Sequence, residues 1–590
     1  MDASWTNSLI VLVDGMPLDP LISDLLIGGV VDTSMHLPDM FELTFIDPSR
    51  DVVELGGFIP GSEVILSVDS GGEIPVPLMI GEVTALELDY DGDSAKTVIR
   101  GFDLSNRLMR GKKVRTFQMM MASEIVEIVL AENGVELNEI DPTDDVYQYK
   151  AQSGTTDWDF IQQLAMDNGY RAYMSKGIFH FGPLLPPVAG DIPGTFEASL
   201  PTQIVLGQDL RRLRAVVRST EQVEDVQVMG WSPLEYLPVV GVSPAEAIGT
   251  EILVQPEELS TIEGANSFVH LGFPTEDEAA AETKAAALGN QLAESYAEVE
   301  GEALGNPELV SAVAVNLSGA GEPFDGAYTI TSARHIFDPE TAYTTQFTCS
   351  GWQDRSLLGL TTGPRIGALP EPARMPGVCS ATVVNCRDPE DNARVQVLFE
   401  WMGPEAVSGW VRVAQIGASE AFGFLWIPEE GDEVLVAFEQ GDPSRPIVIG
   451  SLYNMVMNPA VNPETVDEVT GLISARRISS RFQHNITFYD SEETSGIIMA
   501  TGDEAQGIFL NMEEQSLSIY NLDGPIEINA TEIIINAEAD LTLSAEGELS
   551  ISAASVTIEG EGDVTVNGAS VAVTADGDLS MDAPIVMING

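Results

Sequence analysis

Side chains able to do chemistry are abundant in this chain but are not spaced for it. The 590 residues include 92 Asp and Glu against 27 Lys and Arg, a formal charge of −65. Carboxylates therefore neighbour one another almost everywhere, and no single pair marks a general acid and its base. No Ser/His/Asp, HExxH or Cys/His nucleophile arrangement occurs. Cys349, Cys379 and Cys386 lack metal-ligand spacing, and so sparse and odd a set fits a reduced compartment. Asp89-Tyr90-Asp91-Gly92-Asp93 has the flavour of a calcium loop, but no Glu stands at the twelfth position, so it reads as a solvated turn. His335, beside the turn at Asp338-Pro339, reads as a structural histidine. No catalytic residue, cofactor site or metal site is expected.

The charge excludes partners as well. Phosphate recognition needs Lys and Arg, so nucleic acid is not an expected partner. Lys occurs at six positions, and no Lys or Arg follows Arg481. A high-salt habitat would account for this, because at about 1 M salt the screening length falls to roughly 3 Å. No run of eighteen apolar residues suggests a membrane span. Met1 to Trp5 has no basic segment of the kind that opens a secretory signal.

The elements that must carry the function read mostly as strands. Leu9 to Val13 ends at the hairpin turn Asp14-Gly15. Phe41 to Phe45, Val64 to Val68 and Ile80 to Leu88 follow with alternating or continuous apolar residues. Ala122 to Asn133 and Asp157 to Ala165 have helical spacing and stop at Gly134 and Asn168-Gly169. Trp158, Phe160, Ile161 and Leu164 are core candidates. Strands resume at Ala215 to Arg218 and Val223 to Met229. A helix is expected from Glu276 to about Glu298, capped by Thr275 and Glu278. Strands return at Val310 to Val315 and Gly326 to Ile330. After a Pro- and Gly-rich linker, Ala393 to Trp401, Trp410 to Ala414 and Asp432 to Phe438 belong to about five strands in fewer than about 90 residues, which suits an OB-type barrel.

The last stretch, residues 526–590, repeats one short pattern: apolar, any residue, apolar, polar, then Ala or Gly. Copies start at Ile526, Ile533, Leu541, Leu549, Val556, Val564, Val571, Leu579 and Val586. Apolar-x-apolar puts two side chains on one strand face, and the small residue suits a tight corner. Three such faces can enclose a triangular apolar core. One chain could supply all three in turn, or three chains could intertwine, each climbing one strand spacing per repeat for roughly 40–45 Å.

Several segments carry a family resemblance. Arg100-Gly101-Phe102-Asp103 through Arg115-Thr116-Phe117, the only markedly basic segment, and Thr155-Thr156-Asp157-Trp158-Asp159-Phe160 through Gly169-Tyr170 resemble the hub signature of VgrG spike proteins and phage tail hubs. The segment Phe324 to Phe347 resembles the second barrel of the same family. The most specific likeness is in the small barrel. Trp410 to Gln415, Gly423 to Pro428, Gly431 to Val436 and Gly441 to Gly450 resemble the VgrG spike barrel in order and spacing, with Glu400 standing where the family usually has Pro. There Asp442 and Arg445 read as a turn and a salt bridge.

The resemblance implies a mainly β chain with two hub β-barrels and short helices, an OB-fold barrel, and a C-terminal triangular β-helix needle formed by a homotrimer. The implied divisions are a hub region at 1–362, a linker at 363–377, the barrel at 378–455, a linker at 456–480 and the needle at 481–590. It further implies a mechanical rather than catalytic role, as the central spike of a contractile injection system: an extracellular particle, a type VI device or a phage tail. Inner-tube and baseplate proteins, a PAAR-type tip protein and a target cell envelope are the implied partners. Assembly would take place in the cytoplasm, before the spike joins an injection particle. Val586, Ile588, Asn589 and Gly590 are the expected docking face for the tip, because the sequence stops on a repeat with no effector after it. The competing expectation is an envelope or glycan hydrolase on a trimeric β scaffold.

Overall fold

A computed structural model describes residues 7–71, 74–92, 94–137, 139–187, 201–233, 236–262, 264, 266–271, 277–340, 342–356, 359, 374–459, 465–467, 469–491 and 494–588. The chain divides into two units, 1–459 and 460–590.

One antiparallel sheet of eleven strands organises the first unit. Its order is Leu210–Val217, Ala297–Leu304, Ala342–Cys349, Ser332–Asp338, Leu26–Ser34, Met40–Ile46, Ala95–Phe102, Val76–Tyr90, Glu63–Asp69, Ser8–Val13 and Met16–Pro17. Period-two sequence becomes buried core along these strands: Phe41, Leu43 and Phe45 point inward from Met40–Ile46. Two separate cores lie on the sheet. One gathers Phe41, Leu43, Leu66 and Ile99, the other Val299, Leu317, Tyr328 and Phe347. The strands meet at a seam where Ser332 through Phe337 pair with Ser34 through Gly29. The two β halves expected from sequence are thus joined through a continuous ladder.

Two helical layers pack on smaller sheets. Helices Ala122–Glu132 and Asp157–Asp167 build a third core with Phe179 and Phe181. Helix Glu278–Ala293 packs Ala281, Ala285 and Leu288 on Val226, Val228 and Val239. The backbones approach closely there: a Cβ on Gly241 would stand 2.1 Å from the Ala281 carbonyl carbon.

Three boundaries differ from expectation. The cap of the last helix is Asp277, whose carboxylate accepts from the Ala279 N–H, and Thr275 lies outside the described residues. The helix stops at Ala293, because Ala297–Leu304 is a strand whose inward residues are small or β-branched. The strand expected at Val310 to Val315 is instead Ala314–Ser318, since Ala312 adopts a left-handed φ of 65° that breaks the extended run. Most of the 363–377 linker lies outside the described residues.

Residues 378–451 form the expected barrel. Val378–Asn385 pairs with Gln396–Leu398 and with Glu433–Phe438, which pairs with Pro446–Ser451. Arg412–Val413 runs parallel to Ile447 and Val448, and bridges from Val411 to Val395 close the ring. Val383, Val397, Phe399, Val434, Val436 and Val448 fill it.

In the second unit, Ala475–Ser479, Asn485–Asp490, Ser495–Ala500, Gln506–Asn511 and Ser516–Asn521 form a five-stranded antiparallel meander. Sequence places four of these strands as short irregular runs between Ile486 and Ile519, ahead of the repeat but within the segment 481–590 expected to form the needle. Short hairpin turns occupy its first part, several held by left-handed Gln483, Glu504 and Gln515. From residue 522 to 588 every residue is exposed, and no helix or paired strand forms.

Candidate functional site

The two hub-signature segments meet at one carboxylate. Asp157 opens its helix just after the cap Thr156, whose hydroxyl accepts from the Asp159 N–H. Its side chain is 2 % exposed. Lys113 Nζ lies 2.7 Å from Oδ2 and Arg115 Nη2 2.6 Å from Oδ1. Gln152 and Asn133 amides donate at 3.0 and 2.8 Å. Burial alone would raise the Asp157 pKa. The bonds from Lys113, Gln152 and Asn133, with the charge of Arg115, outweigh it and hold the carboxyl below its ordinary range. Lys113 and Arg115 of the basic segment are therefore held within the fold, while Arg110 and Lys112 are exposed. Arg100 likewise pairs with Glu42 at 2.7 Å and with Glu87, and Arg107 pairs with Glu82.

The ribbon carrying these residues, Lys113–Met121 with Val146–Thr155, also seats the barrel. Gln118 Nε2 donates to the Val407 carbonyl at 2.8 Å, and the Ala151 N–H to Ser444 Oγ at 3.1 Å. A cavity of about 680 Å³ lies beside this seat, lined by Lys150, Asp167, Lys284, Trp410, Arg412 and Asp442 among others. One of its cations is neutralised: Lys150 Nζ sits 2.8 Å from Asp167 and 4.8 Å from the Tyr147 ring centroid.

Inside the barrel, Asp388 is clasped by Arg394 through Nε at 2.9 Å and Nη2 at 2.7 Å. It also accepts the N–H groups of Glu390, Asn392 and Arg394. These bonds hold its carboxyl well below the usual range. Asp442 accepts from the Ser444 N–H, and Arg445 lies 3.4 Å from Glu439. Both are the turn and salt bridge their sequence suggested.

A buried carboxylate pair that sequence reasoning missed is Asp39 with Asp103. The Asp39 N–H donates to Asp103 Oδ2 at 2.6 Å, Ser105 Oγ to Oδ1 at 2.5 Å, and the Ser34 N–H to Asp39 at 2.8 Å. Burial raises both, Asp103 to about 6, and for Asp39 the neighbouring Asp103 adds to it. Both are shut from solvent, so they tie the first core together rather than meet a substrate. His335 is also fully buried, with Nδ1 2.8 Å from the Tyr343 hydroxyl and a pKa pushed down to about 3 by burial. Among the described residues, no three His, Cys, Asp or Glu side chains cluster to hold a metal ion.

The second unit offers surface of another kind. Two rows of directly paired residues lie on one face of the meander: Ile486, Met499, Ile508 and Ile519, then Phe488, Ile497, Leu510 and Leu517. Seven of these eight are exposed. Along the repeat, both apolar side chains of each copy stand open, as with Leu549 at 59 % and Ile551 at 65 %. Of the expected tip-docking residues, Val586 and Ile588 are exposed, and Asn589 and Gly590 lie outside the described residues.

Comparison with known proteins adds the following. Residues 379–453 match the family described as the type VI secretion system/phage-baseplate injector OB domain. Residues 49–338, just under half of the chain, match one described as the Alg8 N-terminal domain. The type VI secretion system spike protein VgrG1a of Pseudomonas aeruginosa is 45 % identical over 65 residues, 10 % of this chain and 10 % of that protein. The actin cross-linking toxin VgrG1 of Vibrio cholerae is 28 % identical over 193 residues, 31 % of this chain and 17 % of that one. The matched stretches thus span less than a fifth of these relatives. One chain of a Francisella PdpA–VgrG complex superposes with a TM-score of 0.51 at 8 % identity, covering 88 % of this chain and 89 % of that one, which shows a shared fold. The chain is VgrG-like, and the injector barrel is its most specific mark.

Proposed function

We propose that this VgrG-like chain is the central spike of a contractile injection system and works as a homotrimer. The observation that carries the reading is the second unit's uncovered apolar surface. Eight large apolar side chains share one meander face, and the repeat after it leaves its apolar pairs in water. At roughly 25 cal/mol per Å² of apolar surface, so large an area favours association strongly. Its flat face and short repeats lack depth to bury it alone, whereas three copies related by a threefold axis would cover one another. The meander faces would form one apolar prism, and the repeats would intertwine below it as a needle.

The role is structural and mechanical. Two β cores on one sheet per chain give three chains six similar units, which suits a join between a hexameric tube and a threefold needle. Inner-tube and baseplate proteins would bind the hub. A PAAR-type tip protein would dock on Val586, Ile588, Asn589 and Gly590, and the needle would meet the target envelope. The chain would assemble in the cytoplasm and leave within an injection particle. The test is the native mass of the purified full chain. Three times 63.2 kDa is expected, and a single-chain mass at micromolar concentration would overturn the reading.

A further inference from the structure

From Glu546 the repeat is a double one. Residues 546–560, 561–575 and 576–590 align without a gap, fifteen residues each. Each copy opens on an acid-glycine-acid triplet: Glu546-Gly547-Glu548, Glu561-Gly562-Asp563 and Asp576-Gly577-Asp578. Half a copy later stand Ala554-Ser555, Ala569-Ser570 and Pro584-Ile585, none of them charged. The backbone bends at both places, at 546–547, 561–562 and 576–577 and again at 554, 569–570 and 584. The bends are the corners of the repeat, and they alternate between acidic and neutral. Glu559 joins the acidic corner that follows it, and Asp582 puts one carboxylate on the last neutral corner. Upstream, Glu538-Ala539-Asp540 and Glu546-Gly547-Glu548 are successive acidic corners, so the alternation begins at 546.

We propose that three copies of this chain pack these corners so that carboxylate rings fall on alternate levels of the needle, each separated from the next by a neutral level, and that this spacing is what lets so acidic a segment intertwine. The inference rests on the trimer reading above. In such a needle each repeat climbs one strand spacing, about 4.8 Å. Threefold symmetry puts the three copies of any one corner on the same level. Acidic rings are then about 10 Å apart along each edge, one screening length at 0.1 M salt, where adjacent levels would put them within half of one. No Lys or Arg follows Arg481, so spacing and salt must limit the repulsion.

The same pattern selects the register of the chains. Successive levels along one edge come from different copies. If one copy slips by a single repeat, its acidic and neutral corners exchange places. Runs of three acidic corners, each about 4.8 Å from the next, then stack on two of the three edges. A slip by two repeats restores the alternation but leaves fifteen residues unaccommodated. The cheap error is the one the charges oppose, a use of like-charge repulsion to specify one arrangement.

The test moves charge without changing its amount. In the full-length variant A553E/S555D/E561A/D563S, one acidic pair shifts to the neighbouring corner, so that acidic levels become adjacent. The control A553Q/S555N places polar side chains of similar size at the same corner without charge. Amide hydrogen exchange is read over residues 541–588 at about 10 mM and about 1 M salt, where the screening lengths are roughly 30 and 3 Å. The charge-shifted variant should exchange about tenfold faster than wild type at low salt and match it at high salt, while the control stays protected in both. Wild-type exchange in the shifted variant at low salt overturns the inference, as does equal loss in the control. A trimeric mass with either result leaves the spike reading standing, whereas a monomeric wild-type mass removes that reading first.

Discussion

Arg115 and Asp157 stand 42 residues apart in sequence and 2.6 Å apart in space. The contact joins the basic ribbon strand to the first turn of the following helix. Lys113 reaches the other carboxylate oxygen, so two cations from one strand converge on one buried anion. A carboxylate in the first turn also faces the helix dipole favourably. The ribbon that this cluster anchors is the one on which the barrel sits, through Gln118 and Ala151.

Asp157→Asn should therefore loosen the seat of the barrel as well as the helix. It leaves two cations facing an uncharged amide, at a cost of about 2–4 kcal/mol. The urea midpoint of the first unit should fall, and exchange at 113–121 and 146–155 should quicken. The pH dependence has a definite sign. The folded pKa of Asp157 lies below its unfolded value of about 3.9. The cluster thus contributes fully above about pH 4 and is lost as pH falls through the depressed folded value. Asp157→Asn should flatten that acid limb, and an unchanged limb would count against the assignment.

Gly101 is among the tightest points of the first core. A Cβ there would stand 2.1 Å from the Glu82 carbonyl oxygen and 2.3 Å from Phe41 Cε1. Gly101→Ala must push a central strand away from its neighbour, and overpacking of this kind costs about 1–3 kcal/mol. Gly417→Ala, where a Cβ meets nothing within 4 Å, should change stability by less than about 0.5 kcal/mol. Equal effects in urea titrations of the two variants would refute the packing account.

Strands with strict alternation were legible in the sequence, Glu433–Phe438 above all, because one face of each is core and the other is not. The long helices were legible through their apolar spacing and their stops at Gly134 and Asn168-Gly169. What sequence could not supply was pairing across distance: the seam between Leu26–Ser34 and Ser332–Asp338 joins residues about 300 positions apart. Four meander strands were legible as short apolar runs at Ile486 to Phe488, Ile497 to Met499, Ile508 to Leu510 and Leu517 to Ile519, but their hairpin pairing was not, for a local reason. Gln483, Glu504 and Gln515 take left-handed backbone at the turns, and none is a residue type that signals such a turn. The strand after Ala293 was readable in principle, since Ala297, Val299 and Ala303 alternate inward. Its Ala and Glu content had masked it as helix.

The Arg394–Asp388 clasp separates charge from geometry. Arg394 binds both carboxylate oxygens through a planar fork, which Lys cannot reproduce. Arg394→Lys should keep the charge yet lose most of the clasp, and exchange across residues 385–398 should approach that of Arg394→Ala. Behaviour of the Lys variant like wild type would show that charge alone holds the loop.

Leu510→Asp asks whether the meander face is covered in the assembled protein. Leu510 lies in a row between Ile497 and Leu517 and is about half exposed in one copy. In an isolated chain, a carboxylate there would sit in water and cost little. In a trimer with the faces turned inward, each of three carboxylates would be carried into an apolar core near the axis, where an unpaired charge is expensive. The variant should then fold its first unit normally and fail to reach the mass of three chains. Thr487 lies on the opposite face of the same sheet and bonds Arg477 and Asn485, so Thr487→Ala should weaken the sheet while leaving its stoichiometry intact. A trimeric Leu510→Asp with unaltered exchange would place that face outside the interface. Trimerisation would then have to come from the repeat alone.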